Sequence, residues 1–221
     1  MAQQKKYEFV PGDEKVIAPG RTVKRIRALI AIAALGVAPG ELGGYIESES
    51  NLQVYGDAWV YGDAWVYGDA QVSGNAQVSG NARVYGDAQV SGDALVYGNA
   101  LVYGNAQVSG NALVYGDAQV YGNAWVSGDA QVSGNALVSG DALIESQTDW
   151  LLVGPAKSSG RFTTAYRDTK IVVRVSCGCF TGTAQEFSAQ IEATHEGNQQ
   201  HLQQYRLFCQ LIAVNFDTQP A

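Results

Sequence analysis

The sequence predicts a mainly β protein whose central part winds into a three-sided parallel β-helix. Fifteen consecutive hexads run from residue 54 to residue 143 without insertion or deletion. Each hexad begins with Val, carries Ala at its fifth position, and has Gly followed by Asp or Asn at its third and fourth positions. A strict short period over such a length is typical of solenoids and outweighs any local signal.

The chemistry of the hexad predicts how one coil is built. Side chains alternate along a strand, so Val at the first position points inward while its two neighbours point outward. Gly tolerates a positive φ, and Asn and Asp tolerate it next best, so the third and fourth positions form a bend that turns Ala inward. Three hexads of six residues then close one coil of 18 residues. Stacked coils are expected to pair as parallel strands about 4.8 Å apart.

The repeat, predicted over residues 54–146, is flanked by an N-terminal β cap with a degenerate first coil, residues 1–53, and by a small C-terminal α+β domain, residues 147–221. Open ends of a β-helix expose unpaired strand edges. We therefore expect each flank to cover one end of the repeat.

The N-terminal flank contains one clear strand signal and one ambiguous segment. Residues 22–27 alternate as a strand does, whereas the apolar segment 28–38 fits either a buried strand or a short helix. Gly40, Gly43 and Gly44 are predicted to mark turns. Ile46 and Leu52 are predicted to occupy the inward position of Ala in a degenerate coil.

The C-terminal flank predicts strands followed by helices. The strands are expected at residues 150–153, 162–166 and 170–175. The segment from Thr183 to Glu186 has the pattern of a helix capping box. Gly197 and Asn198 are predicted to end this first helix, which carries Phe187, Ile191 and Thr194 at helical spacing. A second amphipathic helix is predicted from the apolar positions Leu202, Tyr205, Phe208, Cys209, Ile212 and Phe216.

The outward residues predict one polar side and two apolar sides. When every third hexad is assigned to the same side, one side carries mainly Gln and Ser, and the others are rich in Tyr, Trp and Leu. Stacked aromatic rings stabilise a sheet by cross-strand contact, but a contiguous apolar surface with Tyr and Trp is also typical of a docking site. The predicted partner-binding residues are Trp59, Tyr61, Trp65, Tyr67, Tyr85, Leu95, Tyr97, Leu101, Tyr103, Leu113, Tyr115 and Tyr121, of which Tyr67, Tyr85, Tyr103 and Tyr121 are expected to form one ladder.

The charge distribution excludes some classes of partner. The net charge is −7, and the repeat alone carries eight Asp and one basic residue, Arg83. Such an acidic rod is a poor ligand for nucleic acid, which is bound through Lys and Arg. The apolar run at residues 28–35 is too short to span a bilayer, and residues 1–6 lack the apolar core of a signal peptide. We expect a soluble protein in a reducing compartment, with neither nucleic acid nor membrane as its partner.

The hexads resemble those of hexapeptide-repeat proteins, in which an aliphatic residue is followed by a small residue four positions later. This resemblance implies a left-handed parallel β-helix of about five to six coils; a right-handed β-helix with longer, less regular coils is the alternative. The segments Gly40-Glu-Leu-Gly-Gly-Tyr-Ile-Glu-Ser-Glu49, Gly56-Asp-Ala-Trp-Val60 and Cys177-Gly-Cys-Phe180 are also similar to poorly characterised bacteriophage and prophage members. The resemblance implies an interaction protein in the host cytoplasm or the virion. Side-by-side packing, usual in this fold, implies a homo-oligomer, with a trimer favoured.

Three functions follow as alternatives: a protein that binds a host or defence factor, a virion decoration or tail component, and a hexapeptide-repeat acyltransferase. Enzymes of this fold generally use a His base or His ligands, whereas His195 and His201 both lie outside the repeat. Cys177, Cys179, His195, His201 and Cys209 could supply zinc ligands or a reactive thiol, but Cys-x-Cys fits no standard zinc spacing. One Asp per corner supplies too few oxygens for calcium. The sequence therefore predicts a non-enzymatic scaffold that needs neither a metal nor a cofactor.

Overall fold

The computed structural model describes residues 4–218. Residues 1–3 of the predicted cap and residues 219–221 of the predicted C-terminal domain lie outside the described residues. The chain forms a β-solenoid of about six turns with parallel sheets, followed by a small antiparallel sheet and helices. The prediction of a mainly β protein built on a parallel β-helix is confirmed.

Two-residue strands line the three sides of the solenoid. The polar side contains β6 Gln71–Val72, β9 Gln89–Val90, β12 Gln107–Val108, β15 Trp125–Val126 and β18 Leu143–Ile144. The leucine side contains β4 Trp59–Val60, β7 Gln77–Val78, β10 Leu95–Val96, β13 Leu113–Val114 and β16 Gln131–Val132. The ladder side contains β5 Trp65–Val66, β8 Arg83–Val84, β11 Leu101–Val102, β14 Gln119–Val120 and β17 Leu137–Val138. Each strand pairs in parallel with the strand 18 residues further on, as Val96 pairs with Val114.

The interior of the solenoid is filled by the Val and Ala positions of the hexads. Every Val of these strands is at most 1% exposed, and the Ala residues from Ala58 to Ala142 that precede them are fully buried. Alternation of a branched and a small side chain suits the close packing of a narrow triangular core. The inward positions of the hexad were therefore predicted correctly.

Asn side chains at the corners form hydrogen bonds from coil to coil. Asn99 Nδ2 donates to Asp117 Oδ1 at 2.9 Å, and Asn81 Nδ2 donates to Asn99 Oδ1 at 3.1 Å. The same contact joins Asn75 to Asp93, Asn111 to Asp129, Asn105 to Asn123 and Asn123 to Asp141. An amide both donates and accepts, whereas a carboxylate only accepts. The interleaved Asn residues therefore connect the corners and dilute their charge.

Replacing Asn99 with Asp is expected to lower the free energy of unfolding by about 1 kcal/mol, because a hydrogen bond is lost and a carboxylate faces Asp117. The repulsive part should shrink at roughly 0.5 M salt, since exposed charges are screened. Gln107→Glu is the matched control, because it adds the same charge on the polar side between the neutral residues Gln89 and Trp125. Thermal unfolding of both variants at low and high salt measures the effect. Equal destabilisation by the two changes would contradict the role of the corner hydrogen bonds.

The N-terminal flank extends the ladder side with longer strands. β1 (Tyr7–Ala18) and β2 (Arg21–Ala28) pair as an antiparallel hairpin, and β2 pairs with β3 (Leu42–Ile46). β3 then pairs in parallel with β5. The strand predicted at residues 22–27 is confirmed as part of β2. β1 was not predicted, because Pro11 and Gly12 interrupt its alternation; its register shifts between Phe9 and Glu14.

The segment between β2 and β3 is neither the strand nor the helix that its apolar pattern allowed. It forms a short 3-10 turn, Ala33–Leu35, closed by an isolated antiparallel bridge between Ile32 and Val37. Gly40 lies in the predicted turn, with φ +87°.

The prediction that Gly43 and Gly44 mark turns is wrong, because both residues lie inside β3. A Cβ atom on Gly43 would lie 2.7 Å from the carbonyl oxygen of Val60, and one on Gly44 would lie 2.8 Å from the carbonyl oxygen of Ala64. These glycines allow β3 to approach the solenoid backbone closely, a requirement that the sequence pattern alone does not distinguish from a turn.

The predicted register of the first coil is also wrong. Ile46 pairs with Val66 and Leu52 with Val72, so both occupy the inward position of Val rather than that of Ala. The offset is 20 residues rather than 18 because the segment from Leu52 to Val60 is two residues longer than the matching segment from Val72 to Val78. The corner before it, from Ile46 to Leu52, keeps the six-residue spacing and contains a 3-10 turn at Glu49–Asn51. The Asn51 side-chain amide stabilises this corner by donating from Nδ2 to the carbonyl oxygens of Gly68 at 2.8 Å and Ala70 at 2.9 Å in the next coil.

The first hexad consequently forms a loop that leads into β4. Lys6, only 1% exposed, holds this loop by donating from Nζ to the carbonyl oxygens of Ala58 at 2.6 Å and Gly56 at 3.1 Å. Burial lowers the pKa of Lys6 to about 8.

The same short turn closes both ends of the solenoid. After Ile46 and after Ile144 the chain reads Glu-Ser, two further residues, and then Asn51 or Asp149. In each case the backbone N–H of the Ser donates to the side-chain oxygen of that Asn or Asp, at 2.8 Å. Sequence reasoning missed this repeated capping turn, because it lies outside the hexad period.

The C-terminal segment contains an antiparallel sheet and a helical hairpin. The strands β19 Trp150–Val153, β20 Thr163–Arg167, β21 Val173–Cys177 and β22 Phe180–Thr183 pair in chain order. The helices are α1 Ala184–His195 and α2 Gln199–Asn215. The predicted capping box is confirmed, since the Thr183 hydroxyl accepts from Glu186 N–H and Glu186 accepts from Thr183 N–H. β22 was not predicted, and Thr194 is exposed rather than part of the core.

One face of this sheet covers the last coil and the other packs on the helices. The Tyr166 hydroxyl contacts Ser139 Oγ at 3.0 Å, and Leu137 N–H donates to Thr164 Oγ1 at 2.9 Å. On the other face, buried residues of β21 pack against α1 and α2.

Candidate interaction surface

A column of four stacked tyrosines runs along the ladder side. Tyr67, Tyr85, Tyr103 and Tyr121, the long tyrosine ladder, have successive ring centroids 4.9 Å apart and ring planes within 3° of parallel. They stack because each follows the inward Val of a strand that pairs with the next coil. The predicted ladder is confirmed in position and order.

A second, shorter column lies on the leucine side. Tyr97 and Tyr115, the short tyrosine ladder, stack with ring centroids 4.9 Å apart and ring planes 1° from parallel. Leu95 and Leu113 lie beside them at the preceding outward positions and pair across adjacent strands.

The ladders are electrically neutral. Burial raises the pKa of Tyr67, Tyr85, Tyr97 and Tyr103 above the ordinary phenol value, so their hydroxyls stay protonated at neutral pH. Arg83 is the basic residue of the repeat, and its guanidinium lies 4.4 Å from the ring centroid of Trp65 in a cation–π contact. This contact keeps its charge at the N-terminal end of the ladder side.

Acidic corners border the two apolar sides. Asp63 and Asp117 lie at the corner between the leucine side and the ladder side, and Asp69, Asp87 and Asp141 lie at the corner that follows the long ladder. Lys15 reaches Asp63 with Nζ 3.0 Å from the carboxylate oxygen.

Trp59 does not lie on the surface, contrary to the prediction. Its side chain is fully buried, because the N-terminal hairpin folds over the first strand of the leucine side. Tyr7 packs edge-on against the indole with ring centroids 6.4 Å apart. The sequence could not place Trp59 correctly, since its cover comes from β1, which was not predicted.

The other predicted partner-binding residues are half-buried on the two apolar sides. The ladder side carries Trp65, Tyr67, Tyr85, Leu101, Tyr103 and Tyr121; the leucine side carries Tyr61, Leu95, Tyr97, Leu113 and Tyr115. Trp125, 46% exposed, lies among Gln and Ser residues on the polar side. Whether these residues bind a partner stays a prediction.

The Cys and His residues of the C-terminal domain are only partly brought together. His195 stacks on Tyr205 with ring centroids 5.1 Å apart, and His201 lies edge-on to His195 at 5.9 Å. Cys177 is buried and Cys179 exposed. Burial raises the pKa of Cys209 to about 11, so its thiolate is scarce at neutral pH. Among residues 4–218, no three His, Cys, Asp or Glu side chains form a group that could hold a metal ion.

The stacked coils and aligned outward columns define a β-solenoid repeat protein. More particularly, a family model described as YdcK Beta solenoid repeat matches residues 52–68, 76–92, 88–104, 106–118, 118–130 and 130–145. The chain is therefore similar to that family over its solenoid. No curated protein matches the chain. No helix within residues 4–218 is both long and apolar enough to cross a bilayer.

Proposed function

We propose that this β-solenoid is a non-enzymatic scaffold that binds another protein through its two apolar sides. The observation that carries the proposal is the long tyrosine ladder, whose four neutral rings are held parallel on a rigid backbone. Aromatic residues dominate the binding energy of protein interfaces, and rigid side chains lose little conformational entropy on binding.

The charge around the ladders indicates what kind of partner fits. The apolar columns are bordered by the carboxylates of Asp69, Asp87 and Asp117, with Arg83 held near one end. A partner with an apolar centre and a rim of Lys or Arg complements this surface, and such charges raise the association rate. A second copy packed side by side would instead bring acidic corners together, so a different protein is the favoured occupant. The predicted side-by-side trimer is the alternative.

The resemblance to bacteriophage proteins supports a host or defence factor as the partner and the host cytoplasm as the location. A virion decoration or tail component would use the same surface toward a viral protein. Detection of the chain in purified virions by mass spectrometry would favour that second role. Binding of coenzyme A to the purified protein would instead support the acyltransferase.

Replacing Tyr85 and Tyr103 together with Ser is expected to weaken capture of the partner at least tenfold, because Tyr is enriched among interface hot spots and truncating one hot spot costs about 2 kcal/mol or more. Ser occupies the same hexad position at Ser73, Ser91 and Ser109, so the variant keeps a native repeat pattern. The wild-type protein serves as bait in host lysate, captured proteins are identified by mass spectrometry, and the affinity of the purified pair is then measured.

The control variant Trp125→Gln removes an exposed aromatic ring from the polar side and should leave capture unchanged. Equal capture by wild type and by the double Tyr variant would overturn the proposal. Sedimentation of the pure protein tests the alternative, since a trimer that the double Tyr variant dissociates would identify a second copy as the occupant.

A further inference from the structure

An apolar pocket opens on the C-terminal domain. Its volume is about 330 Å³, and it lies between the β20–β21 turn, the start of α1 and the end of α2. Val173, Ala184, Cys209, Ile212 and Ala213 form its apolar wall. None of the described residues that line it carries a charge.

Ile171 lies at the rim of this pocket in a strained backbone conformation. Its φ is +63°, and its side chain is 74% exposed. A β-branched residue in the left-handed region is rare, and the conformation costs about 1–2 kcal/mol. The turn is held by Asp168, whose Oδ1 accepts from the backbone N–H groups of Lys170 and Val172 at 2.8 Å and 2.9 Å.

An isoleucine at this position contributes little to the stability of the isolated chain, because its side chain is mostly exposed. Asn or Gly would relieve the backbone strain, and an exposed side chain contributes no burial to the core. Strain that the fold itself does not require points to a role in function. Here the strained backbone fixes the direction of the apolar Ile171 side chain directly beside the apolar pocket.

A surface that carries the protruding Ile171 side chain next to an apolar pocket can be complementary to a second copy of itself. In an interface with two-fold symmetry, the projection on each copy meets the hole of the other, so one pair of features is used twice. The charges at the rim fit the same symmetry. Lys170 precedes the lining residue Ile171 and Asp217 precedes the lining residue Thr218, so a base and an acid lie next to pocket residues and can pair across a two-fold axis.

We propose that a second copy of this chain occupies the pocket, with Ile171 of each copy inserted between α1 and α2 of the other. Every described residue that lines the pocket belongs to the C-terminal domain and none belongs to a tyrosine ladder, so the two proposed interfaces use different residues.

Sedimentation equilibrium of the purified full chain tests the proposal with variants of the projection and of the hole. Ile171→Asn removes the projection with a residue that tolerates positive φ, so it should fold with equal or greater stability. Ala184→Glu places a charge at the mouth of the hole and suits the first turn of a helix. We expect the wild type to be a dimer and each variant to raise the dimer dissociation constant at least tenfold.

Two controls separate this interface from the solenoid sides. Val16→Asn changes an equally exposed β-branched residue, 75% exposed, on β1 and should leave the dimer intact. The double Tyr85→Ser, Tyr103→Ser variant should also remain a dimer. A wild type that is still monomeric at about 100 μM, where a dimer with a micromolar dissociation constant would be mostly formed, would overturn the proposal. So would an Ile171→Asn dimer of unchanged affinity, or loss of self-association in the double Tyr variant. Binding of the protein partner proposed for the tyrosine ladders is measured separately by capture from host lysate, and the Ile171→Asn variant should not change it.

Discussion

Replacing Trp59 with Ala is expected to lower the free energy of unfolding by about 3–5 kcal/mol, the range for truncating a large buried aromatic residue. Trp59 is fully buried, and it fills the space between the first coil and the N-terminal hairpin. A Cβ atom on Gly43 would lie only 2.9 Å from the Trp59 ring, so the N-terminal strands fit closely around the indole. They therefore have little freedom to move into the cavity that Trp59→Ala would leave.

Trp125→Ala is the matched control, because the same residue type in the same hexad position is 46% exposed on the polar side. Its effect should stay below about 1 kcal/mol, as for most surface substitutions. Chemical denaturation of both variants measures the difference. Hydrogen exchange should show β1 and β2 losing protection in Trp59→Ala alone. Similar losses of stability in the two variants would contradict the enclosure of Trp59 by the hairpin.

Replacing Gly92 with Ala is expected to destabilise the solenoid by about 3 kcal/mol through two effects. Its φ is +69°, where a side chain costs about 1–2 kcal/mol. In addition, the new Cβ would lie 2.9 Å from the backbone N of Gly110 in the next coil. Backbone atoms held by the parallel ladder cannot move aside without breaking its hydrogen bonds, so the coils must separate locally.

Gly140→Ala isolates the first of these effects. Gly140 has nearly the same φ, +63°, but no atom lies within 4 Å of its added Cβ, because its corner is at the end of the solenoid. Thermal unfolding should therefore show a loss of about 1–2 kcal/mol for Gly140→Ala and a clearly larger loss for Gly92→Ala. If the two variants lost equal stability, the close stacking of corner glycines would not contribute.

The repeat made the solenoid and its ladders predictable. Each hexad carries its own strand, bend and inward Ala, so local chemistry repeated at a fixed period also places residues of successive coils above one another. That is why Tyr67, Tyr85, Tyr103 and Tyr121 could be assigned to one column without coordinates. The capping box at Thr183 was similarly predictable, because both of its hydrogen bonds join residues three apart in sequence.

The flanks were less predictable, because their structure depends on contacts between distant residues. β1 lacks a clean alternation, and it is ordered by pairing with β2 and by packing on the solenoid. The register of Ile46 and Leu52 differs from the prediction because the segment from Leu52 to Val60 contains two residues more than a hexad, which the period could not reveal. These errors propagated to the predicted surface, where Trp59 was assigned to an exposed side.

By itself, the sequence determined the parallel solenoid, its Val and Ala core, its acidic corners and the aromatic columns on two sides, since all of these follow from a hexad that repeats its local preferences. Only the tertiary structure decided which part of those columns is accessible and where the C-terminal domain presents Ile171 beside a pocket. Both depend on segments far apart in the chain, whose approach is governed by packing of whole surfaces rather than by the preference of any short stretch.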